Sequence, residues 1–243
     1  MNRWRILQLI RVGWHRFWKE SHQIPYPVWR RWFGTLILGL GLCALLTLAL
    51  TVSVKGHLNQ GIQSWDEAQL PILAERLPLT FSRAITWESP GNLLGMLPII
   101  GLFTAITVAR SQPLLTATML VGYVLQFSLV WIGWGYWNRD RPNLIADGVA
   151  ASGLHSFPSG HTVVVITVYG ILGYLWCSST RSWAERLLAI VLTGFWLGMI
   201  ISSRLVLGAH WPTDVIVGVA IGVSWLSVII VALHRVRDVW QKF

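Results

Sequence analysis

Six long apolar segments constrain the fold of this chain more than any other feature of its sequence. They lie at about Phe33–Val54, Gly91–Ala109, Leu114–Tyr136, Gly160–Cys177, Leu187–Ser203 and Thr213–Leu233. Each approaches the ~20 residues that a helix needs to cross a bilayer, and none contains lysine, arginine or glutamate. Only 12% of all residues are charged, against about a quarter in soluble globular proteins. The sequence therefore predicts an all-α fold, a bundle of six transmembrane helices.

A basic and aromatic segment precedes the apolar ones. Helical spacing places one set of its apolar residues on a single face, namely Trp4, Ile6, Leu7, Ile10, Trp14, Phe17 and Trp18. Such an amphipathic helix is typical of segments that lie on an anionic membrane surface. A disordered basic tail is the alternative, because Arg3 and Arg11 interrupt the apolar face. We divide the chain into this interfacial segment, 1–32, and a six-span membrane domain, 33–243.

The net charge of +9 is carried mostly beside the apolar segments. This placement favours anionic lipid headgroups over nucleic acid as the partner of the basic residues. Six spans put both termini on one side of the membrane, and that side receives most of the basic residues near span ends, among them Arg110, Arg186 and Arg235. Such residues accumulate on the cytoplasmic side. We therefore expect cytoplasmic termini, in the inner membrane of a bacterium.

The first outer loop, from Lys55 to Pro90, is the longest connection between spans. Residues Ser64 to Glu67 have the spacing of a capping box, which predicts the start of a helix there. Pro71 and Pro78 would break a helix. We therefore expect short extracytoplasmic helices on the membrane surface in this loop.

Three short polar clusters interrupt the apolar background. They are Arg139-Asp-Arg141-Pro142, Pro158-Ser159-Gly160-His161, and Ser203-Arg204 followed by His210 and Asp214. In the predicted topology, all three emerge at the outer face of the membrane. The sequence therefore predicts that they form one site.

The residue types of these clusters indicate phosphate chemistry. Phosphoryl transfer spreads negative charge over three oxygens and needs several fixed donors around one point. Arg141 and Arg204 carry forked cations that suit phosphate. Ser159 and Gly160 stand where the fourth span begins, and a helix N-terminus binds anions. The structural alternatives are that the arginines anchor the spans in the membrane and that Ser159 only caps its helix.

Two histidines and an aspartate supply the candidate catalytic groups. Pro212 predicts that the last span starts nearby, which would let Asp214 accept the Nδ1 proton of His210. That bond would leave Nε2 of His210 as a nucleophile. His161 would then protonate the leaving oxygen. The structural alternative for Asp214 is a carboxylate that compensates the dipole of its helix.

The order of these motifs resembles the type 2 phosphatidic acid phosphatase superfamily. The matching elements are Arg141-Pro142, Pro158-Ser159-Gly160-His161 and Ser203-Arg204-x5-His210-x3-Asp214. The resemblance implies a six-helix membrane core, a phosphohistidine on His210, Asp214 as its partner and His161 as the general acid. It implies that Arg141, Ser159, Gly160 and Arg204 hold the phosphate, and that no metal or other cofactor is needed. The lack of a carboxylate cluster among the motifs also disfavours a two-metal mechanism.

One position departs from the family pattern. The family has a lysine seven residues before the arginine of its first motif, and here that position is Trp134. Either another cation such as Arg139 substitutes for the lysine, or the site works with one donor fewer. An aromatic residue that packs at the membrane interface is the plain interpretation of Trp134 itself.

The resemblance and the outward position of the motifs predict a lipid phosphate as substrate. Undecaprenyl pyrophosphate is slightly favoured, with phosphatidylglycerophosphate and phosphatidic acid as the other expected substrates. A lipid phosphotransferase with the same phosphohistidine is one alternative function. A transporter or lipid-binding protein is the other, and it would require ionisable residues along the span interiors, near the middle of the membrane. The sequence has none there, because His161 and Asp214 lie close to span ends.

Overall fold

The computed structural model of the chain describes residues 3–145, 148 and 155–237, the side chains of 3–10 and 93 excepted. All regular elements in this part of the chain are helices. The α-helices are α1 (Arg3–Gln23), α2 (Tyr26–Gly56), α3 (Ile62–Arg76), α4 (Phe81–Glu88), α5 (Leu93–Ala109), α6 (Pro113–Tyr136), α7 (Gly160–Ser179), α8 (Trp183–Val206) and α9 (Pro212–His234). The predicted all-α class is confirmed.

Six helical segments are long and apolar enough to cross a membrane. They are α2, the segment Phe81–Ala109 that contains α4 and α5, α6, α7, α8 and α9. Apolar side chains on their outer faces are exposed, as Leu45 on α2 and Val124 on α6 show. Exposed leucine and valine at these positions suit contact with lipid, because hydrocarbon surrounds a membrane helix where it does not meet protein. The predicted six-span bundle is confirmed.

The N-terminal segment is helical, as its amphipathic pattern predicts. Phe17 of α1 is buried, whereas Trp14 and Trp18 are about half exposed. The helix packs against α5 and α6, and its position on a membrane surface remains a prediction. The next helix, α2, begins at Tyr26 and not at Phe33. The boundary that we drew between residues 32 and 33 therefore falls inside α2.

The loop predicted to be the first outer one holds the two short helices α3 and α4, and two details differ from the prediction. Ser64 does not cap α3, because the helix starts upstream at Ile62. Its N-cap is Gly61, which adopts a left-handed φ of 118° that glycine tolerates. Pro71 lies inside α3 and does not end it. A proline removes one backbone hydrogen bond, but α3 is held by the burial of Asp66 and Leu70.

The last helix, α9, packs against α2 and α7. Gly218 and Gly222 of α9 face α7 so closely that an added Cβ would lie 3.0 Å from the carbonyl oxygen of Ser159 and from Cβ of Ile166, respectively. Small residues allow helices in membranes to approach in this way. The glycine pair of the last span therefore serves packing within the chain.

The helix ends that carry the three polar clusters meet at one end of the bundle. They are the C-terminal ends of α6 and α8 and the N-terminal ends of α7 and α9. Helix α3 packs against α8 and α9, and α4 packs against α8. The loop between α2 and α5 therefore covers the end of the bundle at which the motifs converge.

Candidate active site

A cavity of about 280 Å³ lies at this end of the bundle. Its wall combines cationic and imidazole groups with apolar side chains, and its residues are Gly91, Asn92, Met96, Tyr123, Phe127, Val130, Trp134, Arg141, Gly160, His161, Val164, Arg204 and His210. Most of the sequence-predicted site residues are among them. The exceptions are Ser159, Asp214 and Arg139, which lie behind the wall.

His210 lies in the turn between α8 and α9, and its ring is buried in the cavity wall. Its Nδ1 lies 2.9 Å from the backbone carbonyl oxygen of Ser156. A carbonyl oxygen can only accept a hydrogen bond, so Nδ1 carries the proton and Nε2 keeps a lone pair. The nearest carboxylate oxygen of Asp214, the predicted acceptor, lies 3.6 Å from Nδ1. The carbonyl takes the place of that carboxylate, with the same consequence for the tautomer.

Burial sets the protonation state of His210. It lowers the pKa of the imidazole to about 4, because desolvation disfavours the charged form. The Asp214 carboxylate opposes this lowering of the pKa, whereas the guanidinium groups of Arg204 and Arg141 reinforce it. The imidazole is therefore neutral at pH 7. Only the neutral form has the free lone pair that a nucleophile needs.

Asp214 is fully buried in the first turn of α9, behind the cavity wall. Its Oδ1 accepts a hydrogen bond of 2.7 Å from Nη1 of Arg139. Its Oδ2 accepts one of 2.8 Å from the backbone N–H of Trp211 and another from the hydroxyl of Ser156. Asp214 thus connects two segments. One is the turn that carries His210, and the other contains Ser156, whose carbonyl fixes the tautomer of His210.

Arg139 does not line the cavity, and this corrects the suggestion that it replaces the missing lysine. Its side chain is 4% exposed and pairs with Asp214 at 2.7 Å and with Asp66 of α3 at 2.6 Å. The guanidinium also lies 5.1 Å and 5.3 Å from the ring centres of Trp137 and Trp211. Two buried carboxylates and two rings hold this cation, so it is not available to a phosphate in the cavity.

Arg141 and Arg204 line the cavity. Nη1 of Arg141 donates a 2.7 Å hydrogen bond to the carbonyl oxygen of Ala209, and Arg204 pairs with the carboxylate of Glu88 at the end of α4. Nε of each guanidinium is buried and has no hydrogen-bond partner among the described residues. Both arginines therefore keep donors that an anion could use.

The first turn of α7 forms the next part of the wall. Ser159 caps this helix, because its Oγ accepts a hydrogen bond from the backbone N–H of Thr162 at 3.4 Å. The Ser159 side chain is fully buried and does not line the cavity, whereas Gly160 and His161 do. The position of Ser159 therefore fits a helix cap, and the helix N-terminus itself is the part of α7 that can meet an anion.

His161 supplies the second imidazole of the wall. Its Nε2 is buried and has no hydrogen-bond partner in residues 3–145 and 155–237. Gly91, in the turn Ser89–Gly91 before α5, lies so close to the ring that an added Cβ would overlap Nε2. A buried polar atom normally has a partner. Nε2 of His161 is therefore placed to bond to a ligand in the cavity.

Trp134 lines the cavity at the position where the family pattern has lysine. Its Nε1 donates a 3.2 Å hydrogen bond to the carbonyl oxygen of Pro158, and its ring stacks on His155 with 5.9 Å between ring centres. It also packs near Gly160, where an added Cβ would lie 3.2 Å from the indole. The side chain therefore holds the segment before α7 and makes this part of the wall aromatic.

Four residues of this region were missed by the sequence reasoning, namely Asp66, Glu88, Gly91 and Ser156. None belongs to the three polar clusters. Tertiary packing brings Asp66, Glu88 and Gly91 from an earlier part of the chain, and Ser156 contributes a backbone carbonyl, which has no sequence signature. The chain has only 10 aspartates and glutamates in its 243 residues. The scarcity of carboxylates in the chain was therefore the one signal that could have singled out Asp66 and Glu88.

Comparison with protein families gives a match to residues 113–238, and the matching family is described as the PAP2 superfamily. The matched range covers α6 to α9 and contains every motif residue discussed above. It leaves out α1 to α5, and therefore the part of the chain that supplies Asp66 and Glu88.

Two relatives match shorter stretches of the chain. A lipid A 1-phosphatase from Rhizobium johnstonii is 35% identical over 78 residues, which make up 32% of this chain and 28% of that protein. An undecaprenyl-diphosphatase from Sulfolobus acidocaldarius is 35% identical over 80 residues, which make up 33% of this chain and 34% of that protein. The chain thus matches about a third of the length of these relatives.

A solved structure resembles the whole bundle. The crystal structure of a transmembrane PAP2-type phosphatidylglycerolphosphate phosphatase from Bacillus subtilis superposes with a TM-score of 0.68. The superposition covers 81% of this chain and 96% of the other, at 22% sequence identity. At this identity, the likeness concerns the fold alone.

Proposed function

The chain belongs to the PAP2 superfamily, and on that premise we propose that it is an integral membrane phosphatase that hydrolyses a lipid phosphate or pyrophosphate. One observation carries the proposal. The His210 ring, with Nδ1 bonded to the Ser156 carbonyl, lines the same cavity as Arg141 and Arg204. A neutral imidazole nucleophile beside two fixed cations is the arrangement that attack on a phosphate requires.

The first step forms a phosphohistidine. Nε2 of His210 attacks phosphorus, a P–N bond forms, and the bond between phosphorus and the leaving oxygen breaks. His161, in its protonated form, gives its Nε2 proton to that oxygen. Arg141, Arg204 and the N-terminus of α7 hold the three equatorial oxygens, whose charge grows in the transition state.

The second step releases phosphate. His161, now neutral, accepts a proton from water while the water oxygen attacks phosphorus. The P–N bond breaks, and its electron pair returns to Nε2 of His210. Asp214 lies 3.6 Å from the imidazole, close enough for its negative charge to stabilise the positive imidazole ring of the phosphohistidine. Every step uses side chains of this chain, so we propose that the reaction is independent of metals.

The substrate proposal rests on the wall and on the relatives. Met96, Tyr123 and Phe127 give the cavity an apolar side next to its cations, which suits a phosphate attached to a hydrocarbon tail. The names of the relatives point to undecaprenyl pyrophosphate and to lipid A 1-phosphate. We propose undecaprenyl pyrophosphate first, followed by phosphatidylglycerophosphate and phosphatidic acid. The site would face the periplasm or exterior, with both termini in the cytoplasm.

The test is phosphate release by purified protein in mixed micelles from a panel of these lipids and lipid A 1-phosphate. We expect release by the wild-type protein, inhibition by vanadate and no loss of rate in EDTA. His210→Ala should lower the rate by roughly 10³-fold or more, because the nucleophile is gone. His57→Ala is the matched control, since His57 is exposed and lies outside the cavity.

Four outcomes would count against this proposal. Unchanged phosphate release by His210→Ala would remove the nucleophile from the mechanism, and loss of rate in EDTA would contradict metal independence. Phosphate transfer to an added acceptor lipid, in place of release, would identify a phosphotransferase. Binding of the lipids without turnover would favour a transporter or lipid-binding protein.

A further inference from the structure

A buried group of three charged side chains lies behind the cavity. Arg139 pairs with Asp66 at 2.6 Å and with Asp214 at 2.7 Å, and the side chains are 4%, 0% and 0% exposed, respectively. The group contains two carboxylates and one guanidinium, so its net charge is negative. Charge this deep in a protein is rarely kept unless it is fully paired or has a use.

Asp66 reaches this group from α3 in the first outer loop. Its Oδ1 accepts a 2.9 Å hydrogen bond from the backbone N–H of Thr213. Its Oδ2 accepts 2.6 Å hydrogen bonds from Oγ1 of Thr213 and from Nη2 of Arg139. Every one of these contacts is with a donor, which suits a carboxylate. Asp66 thereby attaches α3 to the first turn of α9, where Asp214 lies.

The charge of Asp66 changes what Asp214 can do. Without Asp66, Arg139 and Asp214 would form a neutral pair, and the Asp214 carboxylate would stabilise a nearby positive charge only weakly. Nε2 of His210 bonds to phosphorus in the proposed first step, and the ring becomes positive. Because interactions between charges are strong away from water, a net negative group behind the ring would stabilise that state.

We propose that Asp66 is a positioning residue for His210. It holds Arg139 against Asp214 and offsets the charge of Arg139, so that the carboxylate of Asp214 remains effective toward the positive ring of the phosphohistidine. This inference rests on the proposed function. It extends the active site to the first outer loop, which lies outside the range that matches the family.

The test compares variants that differ in the net charge of the group formed by Asp66, Arg139 and Asp214. Asp66→Asn leaves a neutral group, whereas the double variant Asp66→Asn with Arg139→Gln restores the net negative charge without the ion pair. We expect Asp66→Asn to lower kcat and the affinity for vanadate by roughly 10- to 100-fold, the effect of one unit charge about 6 to 12 Å away at an effective dielectric constant of ~20. The double variant should recover at least about half of that loss on a logarithmic scale.

The measurements are kcat and KM for phosphate release, vanadate binding by calorimetry, and the Tm in detergent. Glu75→Gln is the matched control, because Glu75 lies exposed on the same helix, and we expect it to match the wild type. If Asp66 had a purely structural role, the variants would change Tm, but kcat would not fall in Asp66→Asn and recover in the double variant. Asp66→Asn should change KM by no more than about 3-fold, since Asp66 does not line the cavity.

Two outcomes would overturn this inference and leave the proposed function intact. One is an Asp66→Asn protein with wild-type kcat and vanadate affinity. The other is a folded double variant that is no more active than Asp66→Asn. Where Asp66→Asn is too unstable to purify, Asp214→Asn replaces it in this comparison, because its three-residue group is also neutral. A wild-type protein that neither releases phosphate nor binds vanadate would instead refute the proposed function itself.

Discussion

Trp134 is the residue at which this site departs from the pattern of its family. The indole lines the cavity, so the position belongs to the site although the family's cation is missing. Arg139 does not compensate, because Asp66 and Asp214 hold its guanidinium. The cations on the cavity are therefore Arg141 and Arg204, and Glu88 offsets part of the charge of Arg204. The site is less positive than the motifs alone indicate.

This deficit leads to a prediction for Trp134→Lys. An added ammonium group should favour the more highly charged substrate, and we expect kcat/KM for a pyrophosphate lipid to rise about 10- to 100-fold relative to a monophosphate lipid, in line with the strength of one charge-assisted hydrogen bond. Trp134→Phe is the control, because it removes the bond to Pro158 without adding charge. An unchanged ratio of kcat/KM would mean that the headgroup does not reach this position.

The protonation of His210 shows how far residue types alone could lead. An imidazole and a carboxylate stand four residues apart in the sequence, and a hydrogen bond between them was the simplest prediction. In the structure, the Ser156 carbonyl oxygen lies 2.9 Å from Nδ1 of His210, closer than the Asp214 carboxylate at 3.6 Å. A backbone carbonyl has no sequence signature, because every residue carries one. Roles that depend on side-chain chemistry could be predicted, whereas this contact depended on the path of the loop.

At the scale of helices, the turn between α4 and α5 matters most for the site. It brings Gly91 against the ring of His161 and carries Glu88 to Arg204. The apolar run predicted the span that follows, because about 20 apolar residues are a physical requirement for crossing a bilayer. The position of the turn over α7 and α8 could not be predicted, since it results from packing between distant parts of the chain.

Gly91→Ala should therefore damage catalysis more than stability. The added methyl group would push the imidazole of His161 from its position, and a misplacement of about 1 Å can cost on the order of 10²-fold in rate. We expect kcat to fall about 10- to 100-fold, with a shift in Tm of less than about 3 °C. Gly101→Ala in α5 is the matched control, because nothing lies within 4 Å of an added Cβ there. Equal rates for the two variants would contradict this role of Gly91.

At the scale of the whole molecule, the bundle has one functional end. The motif residues come from the ends of α6 to α9 and the loops between them, and the helices α3 and α4 pack on the same end. Alternating spans make this convergence predictable, because every second connection returns to the same side of the membrane. The contribution of α3 was not predictable, since a single aspartate in a loop carries no signal of its partner.

The orientation of this end can be tested with cysteine labelling. After replacement of Cys43 and Cys177 by serine, Glu75→Cys places a thiol on α3, and Ser179→Cys places one at the end of α7, and both positions are exposed. Because basic residues accumulate on the cytoplasmic side, we expect an impermeant maleimide to label only Glu75→Cys in intact cells. Labelling of Ser179→Cys alone would place the site in the cytoplasm.

The contact between Asp66 and Thr213 joins residues 147 positions apart in the chain. Membrane proteins are inserted as they are synthesised, and α9 follows the other spans. Until it enters the bilayer, the turn of His210 has no support and Asp66 has only part of its partners. The proposed activity therefore begins with the insertion of α9, and a protein interrupted earlier in synthesis would leave the lipids of its membrane untouched.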